Sequence, residues 1–189
     1  MRLLPAGAGA PKITGMMRWI PPLAAFAAMS AALVAPLAAG AQEMTALGTF
    51  GKWVAYTYTE KGKPVCYMAA KPEKSEGAYK ARGDAQLLVT HRPGEKAFDI
   101  ITVVAGYQYK PDSDVTIAAG GQTFTLFTNA DRAWARDSKT DSAVVQQFIK
   151  SNTAVIKGVS SRNTPTTDTV SLAGFTAAYK AIGDTCKKP

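Results

Sequence analysis

Cys66 in "PVCYMAAKP", Cys186 in "GDTCKK" and His91, the single histidine, are the residues with the widest chemical repertoire in this chain. A thiol nucleophile needs a base to take its proton, and one histidine permits only a Cys66 and His91 pair. One imidazole also leaves no multi-histidine metal site, so the sequence calls for no metal and no cofactor. His91 precedes Arg92-Pro93 and reads as a strand-end histidine satisfied by a backbone carbonyl. Asp131, Asp137 and Asp141 bracket Trp134, an order that imitates an acid and base pair beside a sugar-stacking ring. Ion pairs with Arg132 and Arg136, and capping of a following helix, account for the same carboxylates at lower cost. Ser160 and Ser161 have no neighbouring base, and the glycines of "AAGG" do not lead into a helix, so no phosphate-cradling loop is present. What remains is a binding constellation: Arg132, Trp134 and Arg136 in "DRAWARD", with Ser161 and Arg162 in "SSRNTPTTD", residue types suited to sugars or anionic headgroups. The competing reading places Trp134 in the core.

The fate of the cysteines depends on compartment, and the N-terminus bears on that. Arg18 precedes an uncharged apolar run from Trp19 to Ala39, and Ala39-Gly40-Ala41 offers the small residues of a signal-peptidase site. Residues 1–41 therefore read as an N-terminal extension and cleavable signal peptide, with translation starting at Met1, Met16 or Met17. The prolines at 21, 22 and 36 weaken the rival reading of a membrane anchor, so no stable span is expected after processing. Residues 42–189 form one domain of 148 residues, enough for a single hydrophobic core. The net charge of the whole chain is +8, and the mature part keeps 19 basic and 14 acidic side chains, or +5. Its cations are interspersed with acids, as in "KPEKSE", so a nucleic-acid footprint is not expected. In an oxidising compartment an even cysteine count points to a Cys66–Cys186 disulfide rather than a reactive thiol.

The elements that must hold these residues are mostly strands, because β-branched and aromatic residues recur in short runs between turn residues. Expected strands are Thr49 to Tyr58, Pro64 to Ala70, Gln86 to His91, Phe98 to Ala105, Val115 to Ala118, Thr123 to Phe127, "RAWARD", Thr153 to Ser160 and Thr166 to Leu172. Gly120-Gly121 suits a tight hairpin turn. One helix is expected over "DSAVVQQFIK", and another from Phe175 to Ile182 ended by Gly183, each with one apolar stripe. The fold class is mainly β, an antiparallel β-sandwich with two short helices.

Five segments, "FGKWVAYTY", "VCYMAAKP", "LLVTHRPGEKAFDIITVVAGYQYKPDSDV", "GGQTFTLFTNADRAWARD" and "VIKGVSSRNTPTTDTVSLAGFTAAYKAI", resemble the invasion-associated locus B proteins of alphaproteobacteria in content, order and spacing. The resemblance implies an exported, mostly β domain of the cell envelope, periplasmic or outer-membrane associated, in a family named for host-cell entry. It supplies no catalytic residues. The expected function is that of a non-enzymatic protein binding an envelope or host-surface component. The alternatives are a structural envelope protein and a carbohydrate-active enzyme using Asp131, Asp137 or Asp141.

Overall fold

Tight turns built on left-handed residues fold the chain into hairpins. Lys61 and Gly62 (φ 50° and 74°) reverse it once, and Gly120 and Gly121 (φ 53° and 82°) do so again. The computed structural model describes residues 43–189, so the expected signal peptide, its expected cleavage site and the choice of start codon lie outside the described residues. The strands are β1 (Thr45–Phe50), β2 (Trp53–Glu60), β3 (Lys63–Ala70), β4 (Lys74–Gly77), β5 (Gln86–Arg92), β6 (Ala97–Val104), β7 (Asp114–Ala119), β8 (Gln122–Asn129), β9 (Arg132–Trp134), β10 (Thr153–Val159) and β11 (Pro165–Ser171). The helices are α1 (Ser138–Ile149) and α2 (Phe175–Thr185). All strands pair antiparallel in one open sheet of order β1-β2-β3-β5-β6-β9-β8-β7-β10-β11-β4.

That order is continuous, yet its distant parts meet. The Trp53 indole N–H in β2 donates to the Ser171 carbonyl in β11 at 3.0 Å, and the Lys52 amide donates to Ala173 O at 3.1 Å. The sheet thus curls until its halves face each other across a single core, which gives the sandwich-like architecture. Strand alternation supplies that core: Trp53, Met68, Leu87, Val89, Ile101 and Val103 from one half meet Val115, Ile117, Leu126, Ile156 and Val170 from the other. Each such side chain contributes about 1.5–3 kcal/mol through burial. Both helices dock an apolar stripe into it, α1 through Val144, Val145 and Phe148, α2 through Phe175, Ala178 and Ile182. Phe175 is the hinge pin of the packing, edge-on to Trp53 at 5.1 Å and to Phe148 at 5.4 Å. No helix among the described residues is long and apolar enough to cross a membrane.

Several boundaries differ from expectation. The first strand is two, because Gly51 at φ 57° turns the chain between Phe50 and Trp53. The "RAWARD" strand is only the three residues of β9, since Asp137 is already the cap of α1. Helix α2 does not stop at Gly183 but runs on to Thr185, capped by Cys186. The sheet gains the short β4 from a segment whose charges read as plain surface.

Candidate functional site

The two cysteines are joined. Cys66, facing inward from β3, bonds to Cys186 at the end of α2, with the Cα atoms 6.0 Å apart and a sequence separation of 120. No free thiol is left for nucleophilic or metal chemistry among the described residues. His91 pairs with Cys66 in the register of β3 and β5 and is fully buried. Its Nδ1 accepts the Asp99 amide at 3.1 Å, so the ring takes a backbone proton instead of donating to a carbonyl as expected. The cause is local: the register of β5 and β6 slips at this point, and Asp99 sits at φ 63°. Nε2 has no hydrogen-bond partner among the described residues. Burial, assisted by Lys188 and opposed by Asp99, lowers the imidazole to about 4, which keeps it neutral. Asp99 itself is a buried hub, accepting from the Tyr179 hydroxyl (2.6 Å), Lys188 Nζ (2.7 Å to each oxygen) and Ser142 Oγ (3.1 Å). Burial acts to raise its carboxyl, and these donors outweigh burial and hold it below the usual carboxylate range. Asp99 is buried while Ser142, Tyr179 and Lys188 are only partly so, and together they fasten both helices and the segment after α2 to β6.

The three carboxylates around Trp134 do not converge into an acid and base pair. Asp137 is exposed and caps α1 by accepting the Thr140 amide at 2.7 Å. Asp141 is buried and accepts the Ile101 amide at 2.9 Å. Asp131 lies 3.8 Å from the Arg132 guanidinium. Among the described residues no group of histidines, cysteines and carboxylates is arranged to hold a metal.

The outer face of β2, β3, β5, β6 and β9 carries a different set of side chains, and no strand or helix of the described residues covers it. Alternation that turns Trp53, Met68 and Ala133 inward turns Tyr56, Tyr58, Tyr67 and Trp134 outward. Tyr56 and Tyr67, cross-strand partners, stack at 5.1 Å, and Tyr58 meets Tyr67 edge-on at 6.2 Å. Trp134 is half-buried, outside the core, leaning on Phe127 at 5.8 Å. Between Tyr58, Tyr67 and Trp134 runs a groove of about 620 Å³ whose polar groups include Thr90, Arg92 and Arg132, with no carboxylate of the described residues in its lining. Arg92 is steadied from the rim by Glu60 and by Glu95 at 3.5 Å.

The five residues singled out for binding are thereby separated. Arg132 and Trp134 line this groove. Arg136 does not; it lies over the Phe127 ring at 5.7 Å and pairs with Asp114 at 3.1 Å. Ser161 and Arg162 belong to another pocket, beside Tyr79, Arg82 and Tyr107. Sequence reasoning missed Tyr58, Tyr67 and Arg92. The signal available was the "YTY" alternation, in which both tyrosines take the same face.

A family model described as "Invasion associated locus B (IalB) protein" matches residues 53–183. The chain belongs to that family. Its matched span begins at the core tryptophan of β2, includes Cys66 and the groove residues Tyr58, Tyr67, Arg92 and Trp134, and stops short of Cys186. A solved structure, the crystal structure of invasion associated protein B from Bartonella henselae, is similar in fold with a TM-score of 0.54 at 13% identity, covering 76% of this chain and 98% of that one. No curated protein matches the chain significantly in sequence.

Proposed function

We propose that this chain is an exported protein of the cell envelope, periplasmic or outer-membrane associated, that acts by binding an envelope or host-surface component rather than by catalysis. The observation that carries this reading is the uncovered outer face, where Tyr58, Tyr67 and Trp134 stand beside Arg92 and Arg132 around one groove. Half-buried aromatic rings held on a sheet, with guanidinium groups lining the same groove, suit recognition at little entropic cost. A disulfide between β3 and α2 fits an oxidising compartment outside the cytoplasm. Membership in a family named for invasion supports a link to host entry or to envelope function.

The test is capture. The protein is immobilised and exposed to envelope extracts, host-cell surfaces and a glycan array, in wild type and in Trp134→Ala. Enrichment of a component that Trp134→Ala loses, with unchanged thermal unfolding, is the expected outcome. If nothing is enriched in any format while deletion of the gene weakens the envelope, the protein is structural and the binding reading is wrong.

A further inference from the structure

The pocket that holds Ser161 and Arg162 shares no lining residue with the outer-face groove and has its own construction. Its floor is Arg82, whose side chain is 6% exposed. Arg82 donates through both terminal nitrogens to Asp168 (2.7 and 2.6 Å) and through Nε to the Ala105 carbonyl (2.6 Å). The guanidinium lies 5.7 Å from the Tyr79 ring and 4.9 Å from that of Tyr107. Two glycines make this possible: a Cβ on Gly106 would fall 2.3 Å from Gly83 O, so only glycine lets the Arg82 segment pass so close to the chain end of β6. Arg82 is neutralised by Asp168 and rigid, a floor rather than a free charge.

The wall is the loop from Ser160 to Thr164. Ser160 Oγ accepts the amides of Arg162 (3.3 Å) and Thr164 (3.2 Å), and the Ser161 amide donates to Gln108 O at 2.7 Å. On the opposite side the Tyr107 hydroxyl is 2.5 Å from Thr166 Oγ1. The cavity has a volume of about 460 Å³, within the roughly 300–1,000 Å³ typical of small-molecule sites.

At the rim stand Lys80 and Arg162, both exposed, and no carboxylate of the described residues lines the pocket. Arg82, Arg92, Arg132 and Arg136 each have a carboxylate partner; among the described residues Arg162 is the arginine without one. An arginine whose backbone amide is held by Ser160 Oγ shares this pocket with a lysine and with serine and threonine hydroxyls, so its lining offers more cationic donors than the carboxylates of the described residues receive.

We infer that this pocket is a binding site for a small polyhydroxylated anion, an acidic monosaccharide unit, with Lys80 and Arg162 holding its charged group and the pocket's hydroxyls and the Gln108 amide its hydroxyls. The inference does not depend on the outer-face groove. Titration calorimetry of the purified protein with D-glucuronate, D-glucose 6-phosphate, neutral D-glucose and inorganic phosphate tests it. At least one acidic sugar is expected to bind, more tightly than glucose and than phosphate, and the better of the two identifies the charged group as carboxylate or phosphate. Arg162→Ala should weaken that binding by about ten- to a hundredfold, the loss of one charge-assisted hydrogen bond. Ser161→Glu, which gives Arg162 an internal partner, should do the same, and Trp134→Ala, which alters only the outer-face groove, should leave the affinity for that acidic sugar as it is. Because Ser161 and Arg162 are exposed, both variants should unfold at the wild-type temperature. Binding by neither acidic sugar, equal binding by Arg162→Ala, or phosphate binding as tight as the sugar would overturn the proposal.

Discussion

His91 and Asp141 both hydrogen-bond the backbone of β6, at Asp99 and Ile101, and burial moves their ionisation in opposite directions. Burial lowers the imidazole from 6.5 to about 4, and burial raises the Asp141 carboxyl from 3.8 to about 6 despite the Ile101 amide that favours its charged form. A histidine depressed by folding contributes stability that is complete above pH 6.5 and is lost as pH falls toward 4. A carboxyl raised by folding does the reverse, contributing fully below pH 3.8 and losing its contribution as pH rises through 6. Each amounts to about 3 kcal/mol at most. Between pH 4 and 6 the two slopes oppose each other, so the wild type conceals both. His91→Gln, which keeps an acceptor for the Asp99 amide, should gain stability relative to wild type as pH is lowered from 7 to 4. Asp141→Asn should lose it over the same range. Urea midpoints at each pH measure this, and parallel curves for all three proteins would show that neither group titrates as described. Lys188→Met removes the cation from a buried carboxylate and should cost about 2–4 kcal/mol. Adding Asp99→Asn to that variant should restore part of the loss, read from a double-mutant cycle.

At the scale of elements, close backbone approaches decide what a substitution does. Gly106→Ala would combine a φ of 72° with a Cβ 2.3 Å from Gly83 O, and is expected to destabilise by about 1–3 kcal/mol. The measurement is equilibrium unfolding, and a change under about 0.5 kcal/mol, the range of an ordinary surface substitution, would mean the two segments separate freely. Strand interiors were legible in the sequence because alternation is a local property: "QTFTLFT" and "LLVTH" lie where expected. The stripe of α2 was legible for the same reason. Its end was not, because Gly183 stays helical while the chain continues to a cysteine fixed in β3. The strand β4 was illegible, since "KSEG" has no apolar face and pairs only because β11 offers an edge. The candidate site was half legible: Trp134 and Arg132 share a face within one strand, but their union with Tyr58, Tyr67 and Arg92 arises from sheet order, which brings β9 beside β6 and is not written in any local run.

For the whole molecule the bond between Cys66 and Cys186 encloses nine of the strands, wholly or in part, and both helices. In the chain-entropy account a closed loop of this size stabilises by about 4–5 kcal/mol, much of a domain's net stability. Reduction should therefore lower the unfolding temperature by roughly 10 °C or more for a domain of this size, and calorimetry with and without reductant would record it. The same bond sets a timetable. A chain emerging amino end first presents Cys66 long before Cys186, so the first thiol must wait, unpaired, while 119 residues follow it. During that wait it is open to any oxidant or neighbouring chain, since the core that buries it is unfinished. Cys186→Ser makes the wait permanent and should yield disulfide-linked dimers on a non-reducing gel, which Cys66→Ser, lacking the early thiol and burying the hydroxyl, should form less readily.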